Sequence, residues 1–252
     1  GTRCVCKERC SRMNAKIITV WGAGGSGKTT VASNLAAAIA DRNFMTCIIS
    51  SKLCYGELQS VFGKRVEQDK GIYKAISGGG STRNMFEATD NPNLFFLSPP
   101  NVFDAMLLTA VSAESVKELI EDCAVRFDYI IIDGSEELNN PVSSIGLTMS
   151  NKIIRVYRVC AKDCIWHNSM ENLTDLLHIR NKTVTVINGY DKTCDKMSFL
   201  GGIKIKPDFE LPYVPNCSTL INSGKLIINN KVGGGLYKKT MQKIASQALL
   251  GG

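Results

Sequence analysis

At 252 residues, 44% hydrophobic and 21% charged, the chain is too apolar for a disordered protein and long enough to bury a sizeable core without staples. Thirty Lys and Arg against 23 Asp and Glu leave a formal charge of +7, compatible with nucleic acid, an anionic membrane surface or a phosphorylated ligand. No apolar run approaches the ~18–20 residues of a membrane-spanning helix, and the first residues do not read as a secretory signal.

Residues 1–14 are polar and basic and read as a tail or linker end; 15–252 read as one domain. From Ala15 onward short β-rich runs alternate with stretches of helical period. Lys16–Trp21 is a β-branched strand, and Lys28–Asp41 a helix with Val31, Leu35, Ala38 and Ile39 on one face. Thr46–Ser50 and Leu94–Leu97 are strands. Between them Lys64–Thr89, with its glycine run, is the least regular part and a candidate mobile loop. Ser112–Phe127 is an amphipathic helix leading into Tyr129–Ile132, apolar on both faces. Further strands are expected at Lys152–Val159 and Thr183–Ile187, separated by a helix over Asp163–Ile179. Phe209–Val214 suits a sheet edge because Pro212 cannot donate to a ladder. Leu236–Leu250 closes the chain as a helix. This alternation predicts a three-layer α/β fold, a mostly parallel sheet with helices on both faces.

Gly22-Ala23-Gly24-Gly25-Ser26-Gly27-Lys28-Thr29 fits G-x-x-x-x-G-K-[ST], with a strand before it and a helix after it. Glycines let the backbone wrap closely around phosphate oxygens, and the helix adds the positive end of its dipole. The candidate cofactor is therefore ATP with Mg²⁺. Gly24, Gly25, Ser26, Gly27, Lys28, Thr29 and Thr30 are the candidate phosphate-binding residues, with Lys28 reaching the β- and γ-phosphates. Asp133, where Tyr129–Ile132 runs out into a loop, is the carboxylate expected to share Mg²⁺ with Thr29. Asp128, at the entry of that strand, reads as a solvated boundary residue.

With this loop and the Phe127–Gly134 strand together, the chain resembles the MinD/ParA family of P-loop ATPases, over roughly Ala15–Leu250. Thr183–Asn188 is similar to the family strand that reads adenine, which implies base-binding roles for Asn188 and Pro212. Leu211-Pro212-Tyr213, Asn222-Ser223-Gly224-Lys225 and Tyr55-Gly56-Glu57-Leu58 resemble the TadZ/CpaE branch, associated with placing pilus or secretion machinery at a cell pole. A receiver-like domain often precedes the ATPase in that branch, which would suit a chain beginning at Gly1. Three positions depart from the family pattern. Ala23 stands where a lysine reaches across the nucleotide-sandwich dimer, and Ser50 and Lys52 stand where the family places aspartates, one of which helps orient the attacking water. ATP binding is thus expected to survive while hydrolysis is slow, altered or absent, with Lys52 a candidate replacement cation. The resemblance implies a cytoplasmic homodimerising switch, recruited to a membrane or pole by protein partners of a larger assembly. An active ATPase in DNA partition or pole positioning is the alternative.

Weaker signals remain. Ten cysteines, mostly within apolar runs such as those holding Cys47, Cys123 and Cys160, read as reduced thiols. Cys160, Cys164 and His167 share a helical face that could ligate zinc; the plainer reading is buried thiols beside a surface histidine. Cys4, Cys6 and Cys10 lack a matching partner. The closing helix is basic and amphipathic but has no Trp or Phe anchor, so direct membrane contact is not expected. Ser81–Asn84 and Lys204–Lys206 could touch DNA phosphates, with solvated charge as the default. Trp21 is a core candidate and Trp166 an interface candidate.

Overall fold

The computed structural model describes residues 15–78, 82–230 and 234–250. The amino-terminal cysteines and Ser81 lie outside them. Eight strands form one sheet: β1 (Lys16–Gly22), β2 (Thr46–Ser50), β3 (Glu87–Ala88), β4 (Leu94–Leu97), β5 (Tyr129–Asp133), β6 (Lys152–Tyr157), β7 (Thr183–Tyr190) and β8 (Phe209–Pro212). Their order is β3-β4-β2-β5-β1-β6-β7-β8, and only the short β3 runs antiparallel. Pro212 ends the edge strand β8, as its missing N–H requires.

Alternation along β1 divides the core. Ile18 and Val20 face α1 (Lys28–Ala40) and the closing helix α9 (Gly235–Leu250), through Val31, Leu35, Met241 and Ile244. Ile17 faces the opposite layer, where α4 (Ala113–Ala124) contributes Val116, Leu119 and Ile120. Farther along, Trp21 meets Leu147 of α5 (Pro141–Met149) and Trp166 of α6 (Ala161–Leu176). Each fully buried aliphatic side chain contributes about 1.5–3 kcal/mol, so these layers fix the sheet that carries the loops.

Several elements go beyond the sequence expectation. Asn140 caps α5 by accepting from the Val142 and Ser143 amides, with Pro141 in the first turn. The segment read as irregular contains α3 (Ile72–Ile76), anchored by buried Ile72 and Tyr73, a 3₁₀ turn at Thr82–Met85, and β3. Short helices α2 (Glu57–Phe62), α7 (Lys196–Ile203) and α8 (Cys217–Asn222) complete the connections. No helix among the described residues is long and apolar enough to cross a membrane.

Parallel register brings the strand ends to one rim. Val20 and Ser50 both lie opposite Asp133, so the β1–α1 loop, the β2 exit and the β5 carboxylate open onto the same crevice.

Candidate functional site

The loop between β1 and α1 takes its shape from left-handed glycines. Gly25 has φ +79° and Gly27 φ +89°, conformations that side chains rarely adopt. A Cβ on Gly27 would also sit 2.2 Å from Asn188 Nδ2. The Ser26 amide donates to the Ala23 carbonyl at 3.1 Å, closing the turn, and the Val31 amide donates to Gly27, starting the helix. Alternating turn conformations of this kind direct main-chain amides into an anion-binding concavity. Lys28 is 7% exposed. Its Nζ donates to the Ala23 carbonyl at 2.8 Å and to Glu136 Oε2 at 3.1 Å. Despite partial burial, its own backbone amide and Lys28 hold the Glu136 carboxyl below the usual range.

Thr29 and Asp133 meet as expected: the Thr29 hydroxyl lies 2.9 Å from Asp133 Oδ2. Asp133 is 2% exposed, and burial pushes its pKa up to about 7 against the opposing hydrogen bond from Thr29. Its other oxygen, Oδ1, is buried without a hydrogen-bond partner among the described residues. A carboxylate this costly to bury calls for a cation. Among the described residues no three His, Cys, Asp or Glu side chains gather as metal ligands. Mg²⁺ does not need them, because it is held by one or two carboxylates with waters and phosphate oxygens. Thr29 and Asp133 therefore fit that ion and would hold it.

The sequence reading missed Glu57. Its Oε2 lies 3.2 Å from the Thr29 hydroxyl and pairs with Lys52 Nζ, which also donates to Tyr55 Oη at 3.0 Å. Partial burial opposes the Lys52 charge, but Glu57 and Tyr55 more than offset it and raise its pKa. The cation at position 52 is thus already partnered by the carboxylate that reaches Thr29. Gly56 at the turn was the available signal: a Cβ there would lie 2.7 Å from the Pro99 carbonyl, so the chain enters α2 by this path only without one.

Beside the loop, Gly25, Ser26, Gly27, Thr30, Arg158, Asn188 and Pro212 line a cavity of about 290 Å³. Asn188 Nδ2 donates to the Ser26 carbonyl at 3.0 Å, and the buried Tyr237 hydroxyl at the cavity has no partner among the described residues. Every residue expected to bind phosphate, base or metal thus lies on the loop, on the rim beside it or in this cavity.

The AAA-domain family model matches residues 15–188, from the start of β1 to the end of the strand carrying Asn188. The chain belongs to this family, within the MinD/ParA group of P-loop ATPases. The septum site-determining protein MinD of Bacillus subtilis is 28% identical over 125 residues, 48% of this chain and 45% of that protein. The Synechocystis MinD is 32% identical over 125 residues, with the same coverage. The match therefore spans under half the length of these curated relatives. The Pyrococcus furiosus cell-division ATPase MinD has the same fold, with TM-score 0.76, 18% identity and coverage of 92% of this chain and 98% of that one. So does a ParA family ATPase from Chlorobium tepidum, with TM-score 0.76 and 17% identity, covering 92% and 98%. A third, MinD of Pyrococcus horikoshii, was solved in complex with Mg-ADP (TM-score 0.74, 17% identity, 92% and 95% covered).

Within this MinD/ParA fold the site departs from its expectations at other positions too. Ala23 is buried, but cations reach the loop from the β6–α6 turn: Arg158 donates to the Gly25 carbonyl at 3.2 Å and Lys162 to the Gly24 carbonyl. The Cys160, Cys164 and His167 arrangement does not assemble. Cys160 is exposed and His167 is buried, its Nδ1 2.7 Å from Tyr157 Oη, which reverses the expected burial. Trp166, half-buried, packs edge-on against Trp21 at 4.7 Å.

Proposed function

We infer that the chain binds ATP with Mg²⁺ at this loop and acts as a nucleotide-dependent dimerisation and localisation switch. It would position a membrane-associated pilus, secretion or conjugation assembly and hydrolyse ATP slowly. The observation that carries the reading is the convergence of Lys28, Thr29 and buried Asp133 on a glycine loop. An adjacent cavity lined by Thr30, Asn188 and Pro212 supports a nucleoside position beside the loop. Lys28 would bind the β- and γ-phosphates, and Thr29 with Asp133 would hold Mg²⁺, which screens phosphate charge when bound.

Slow turnover is supported by the residues flanking Asp133. Ser50, opposite it in the sheet, carries no carboxylate, and the Lys52 ammonium faces Glu57. A protein that holds a triphosphate without cutting it efficiently can shift toward a paired state for as long as the ligand stays bound. Similarity to the TadZ/CpaE branch, at Tyr55–Leu58 and Leu211–Tyr213, supports the placement role.

Arg158 and Lys162 favour a second reading, an active MinD/ParA ATPase of DNA partition or pole positioning, because they bring cations to the loop from within the chain. Calorimetry with ATP and Mg²⁺, mass in solution and steady-state turnover separate the two. The switch reading expects micromolar or tighter binding lost in Lys28→Ala, an ATP-dependent dimer, and turnover far below the ~1–100 s⁻¹ of efficient phosphoryl-transfer enzymes. Equal binding by Lys28→Ala sinks the loop assignment. Fast turnover that collapses in Arg158→Ala and Lys162→Ala selects the second reading.

A further inference from the structure

We propose that Glu57 is the second carboxylate of the Mg²⁺ shell, oriented by Lys52, and that it stands in for the acidic residues absent at positions 50 and 52. The inference rests on the nucleotide reading above and concerns the metal side of that site.

The argument starts from proton counting. Thr29 Oγ1 lies 2.9 Å from Asp133 Oδ2 and 3.2 Å from Glu57 Oε2. A hydroxyl has one proton and can donate to one of these oxygens at a time. Lys52 serves Glu57 Oε2, which leaves the single Thr29 proton for Asp133 Oδ2, so two carboxylates converge on one hydroxyl oxygen. The buried Asp133 Oδ1 adds a further acceptor with no donor among the described residues. What the group lacks is positive charge at its centre. A hard cation that prefers oxygen donors supplies it, whereas a neutral hydrogen-bond donor would satisfy only one lone pair.

Lys52 cannot fill that place. Its ammonium contacts the same Glu57 oxygen and Tyr55 Oη, so it approaches from the side of the β2–α2 turn. It fixes the carboxylate rotamer, as a supporting partner does for a metal ligand. The backbone completes the device. Gly56 leads directly into α2, and Leu58, the residue after Glu57, is fully buried, which anchors the helix start against the core. Glu57 is thereby a metal-side residue and not a water-orienting one, because the atom it touches is the Thr29 hydroxyl. Metal-dependent binding and poor hydrolysis are compatible on this account.

The test is the coupling between Mg²⁺ and nucleotide. ATP is titrated calorimetrically into the whole chain in EDTA and across a MgCl₂ series, and the ratio of the two dissociation constants is read. Glu57→Gln is expected to shrink that ratio about 10-fold and to raise the Mg²⁺ half-saturation by a similar factor, leaving affinity in EDTA unchanged. Lys52→Met moves both quantities the same way by a smaller factor, and Glu57→Asp recovers part of the loss. Thermal unfolding of each variant establishes that it is folded. Wild-type coupling in a folded Glu57→Gln overturns the proposal alone. Absence of nucleotide binding by the wild type overturns the loop reading and this proposal with it.

Discussion

Lys28 Nζ and Glu136 Oε2 are 3.1 Å apart, and the other Glu136 oxygen lies 2.8 Å from the point where a Cβ on Gly24 would be. A side-chain carboxylate therefore rests against the glycine loop and engages the ammonium expected to meet phosphate. A terminal phosphate and Glu136 cannot both take Lys28 without like-charge repulsion, so ligand entry has to displace the carboxylate. The pair is half-exposed on the Glu136 side, and such pairs contribute about 0.2–1 kcal/mol. Glu136→Gln is therefore expected to tighten ATP binding about 2- to 5-fold, with less effect on adenosine. Calorimetry on the variant checks this, and weaker ATP binding would show that Glu136 supports the ligand instead.

Gly27 is constrained twice, by its left-handed backbone and by the amide nitrogen of Asn188 where a Cβ would stand. A non-glycine residue in this conformation costs about 1–2 kcal/mol before any steric term. For a chain of this size each kcal/mol lowers Tm by about 2–4 °C. Gly27→Ala should lower Tm by at least about 2 °C and abolish ATP binding, because Asn188 must give way and release the Ser26 carbonyl. Scanning calorimetry with and without ATP reads both effects.

The glycine loop, its lysine, β2, β4 and the terminal carboxylate of β5 were legible in the sequence because each is a contiguous pattern with one dominant period. Helix α5 was not. Its cap, Asn140-Pro141, is in plain view, but Gly146 within it argues against a helix. The structure explains that glycine: a Cβ there would lie 3.0 Å from both Ile132 Cγ2 and Thr19 Oγ1, so the helix can pack this close to the sheet only without one. Glu57 was illegible for another reason. Its partner Thr29 lies 28 residues away, and only the parallel register of β2, β5 and β1 brings the two loops together. His167 was misread because helical spacing shows which residues share a face but not whether that face is covered.

That histidine makes stability depend on pH. Burial, then the positive charge of Arg155, holds its pKa below the ordinary value, with Glu171 on the same helix opposing and Arg180 adding to the depression. The unfolded chain therefore takes up a proton near pH ~6.5 that the folded chain resists. Stability from neutral His167 is full above that pH and is lost as pH falls through the folded value. Asp133 works in the opposite sense. Its pKa is raised by burial to about 7, so the folded chain binds a proton there before the unfolded one does. The wild-type profile is the difference of the two. His167→Gln should remove only the first contribution, so between pH 7.5 and 5.5 the variant loses less stability, or gains more, than wild type. Urea unfolding at the two pH values tests it, and parallel profiles would show that His167 does not titrate across folding.

Arg155 and Glu171 form an ion pair at 3.0 Å whose members differ sharply in exposure, 4% and 29%. The guanidinium is enclosed by the rings of Trp21, Tyr157 and Trp166, at 5.3, 5.6 and 5.1 Å from their centroids, while its Nε and Nη2 have no hydrogen-bond partner among the described residues. Glu171 has a second cation, Arg180, at 2.9 Å and closer to solvent. Removing one partner is therefore not equivalent to removing the other. Glu171→Ala leaves a buried guanidinium held only by aromatic faces, and removing the partner of a buried charge costs about 3–5 kcal/mol. Arg155→Met replaces the guanidinium with an apolar chain among apolar rings and leaves Glu171 paired with Arg180, so its cost should be below about 1.5 kcal/mol. Urea unfolding of the two variants at pH 7.5 gives the comparison. Equal destabilisation would mean that the aromatic cage contributes nothing specific and that the pair alone sets the stability of this face.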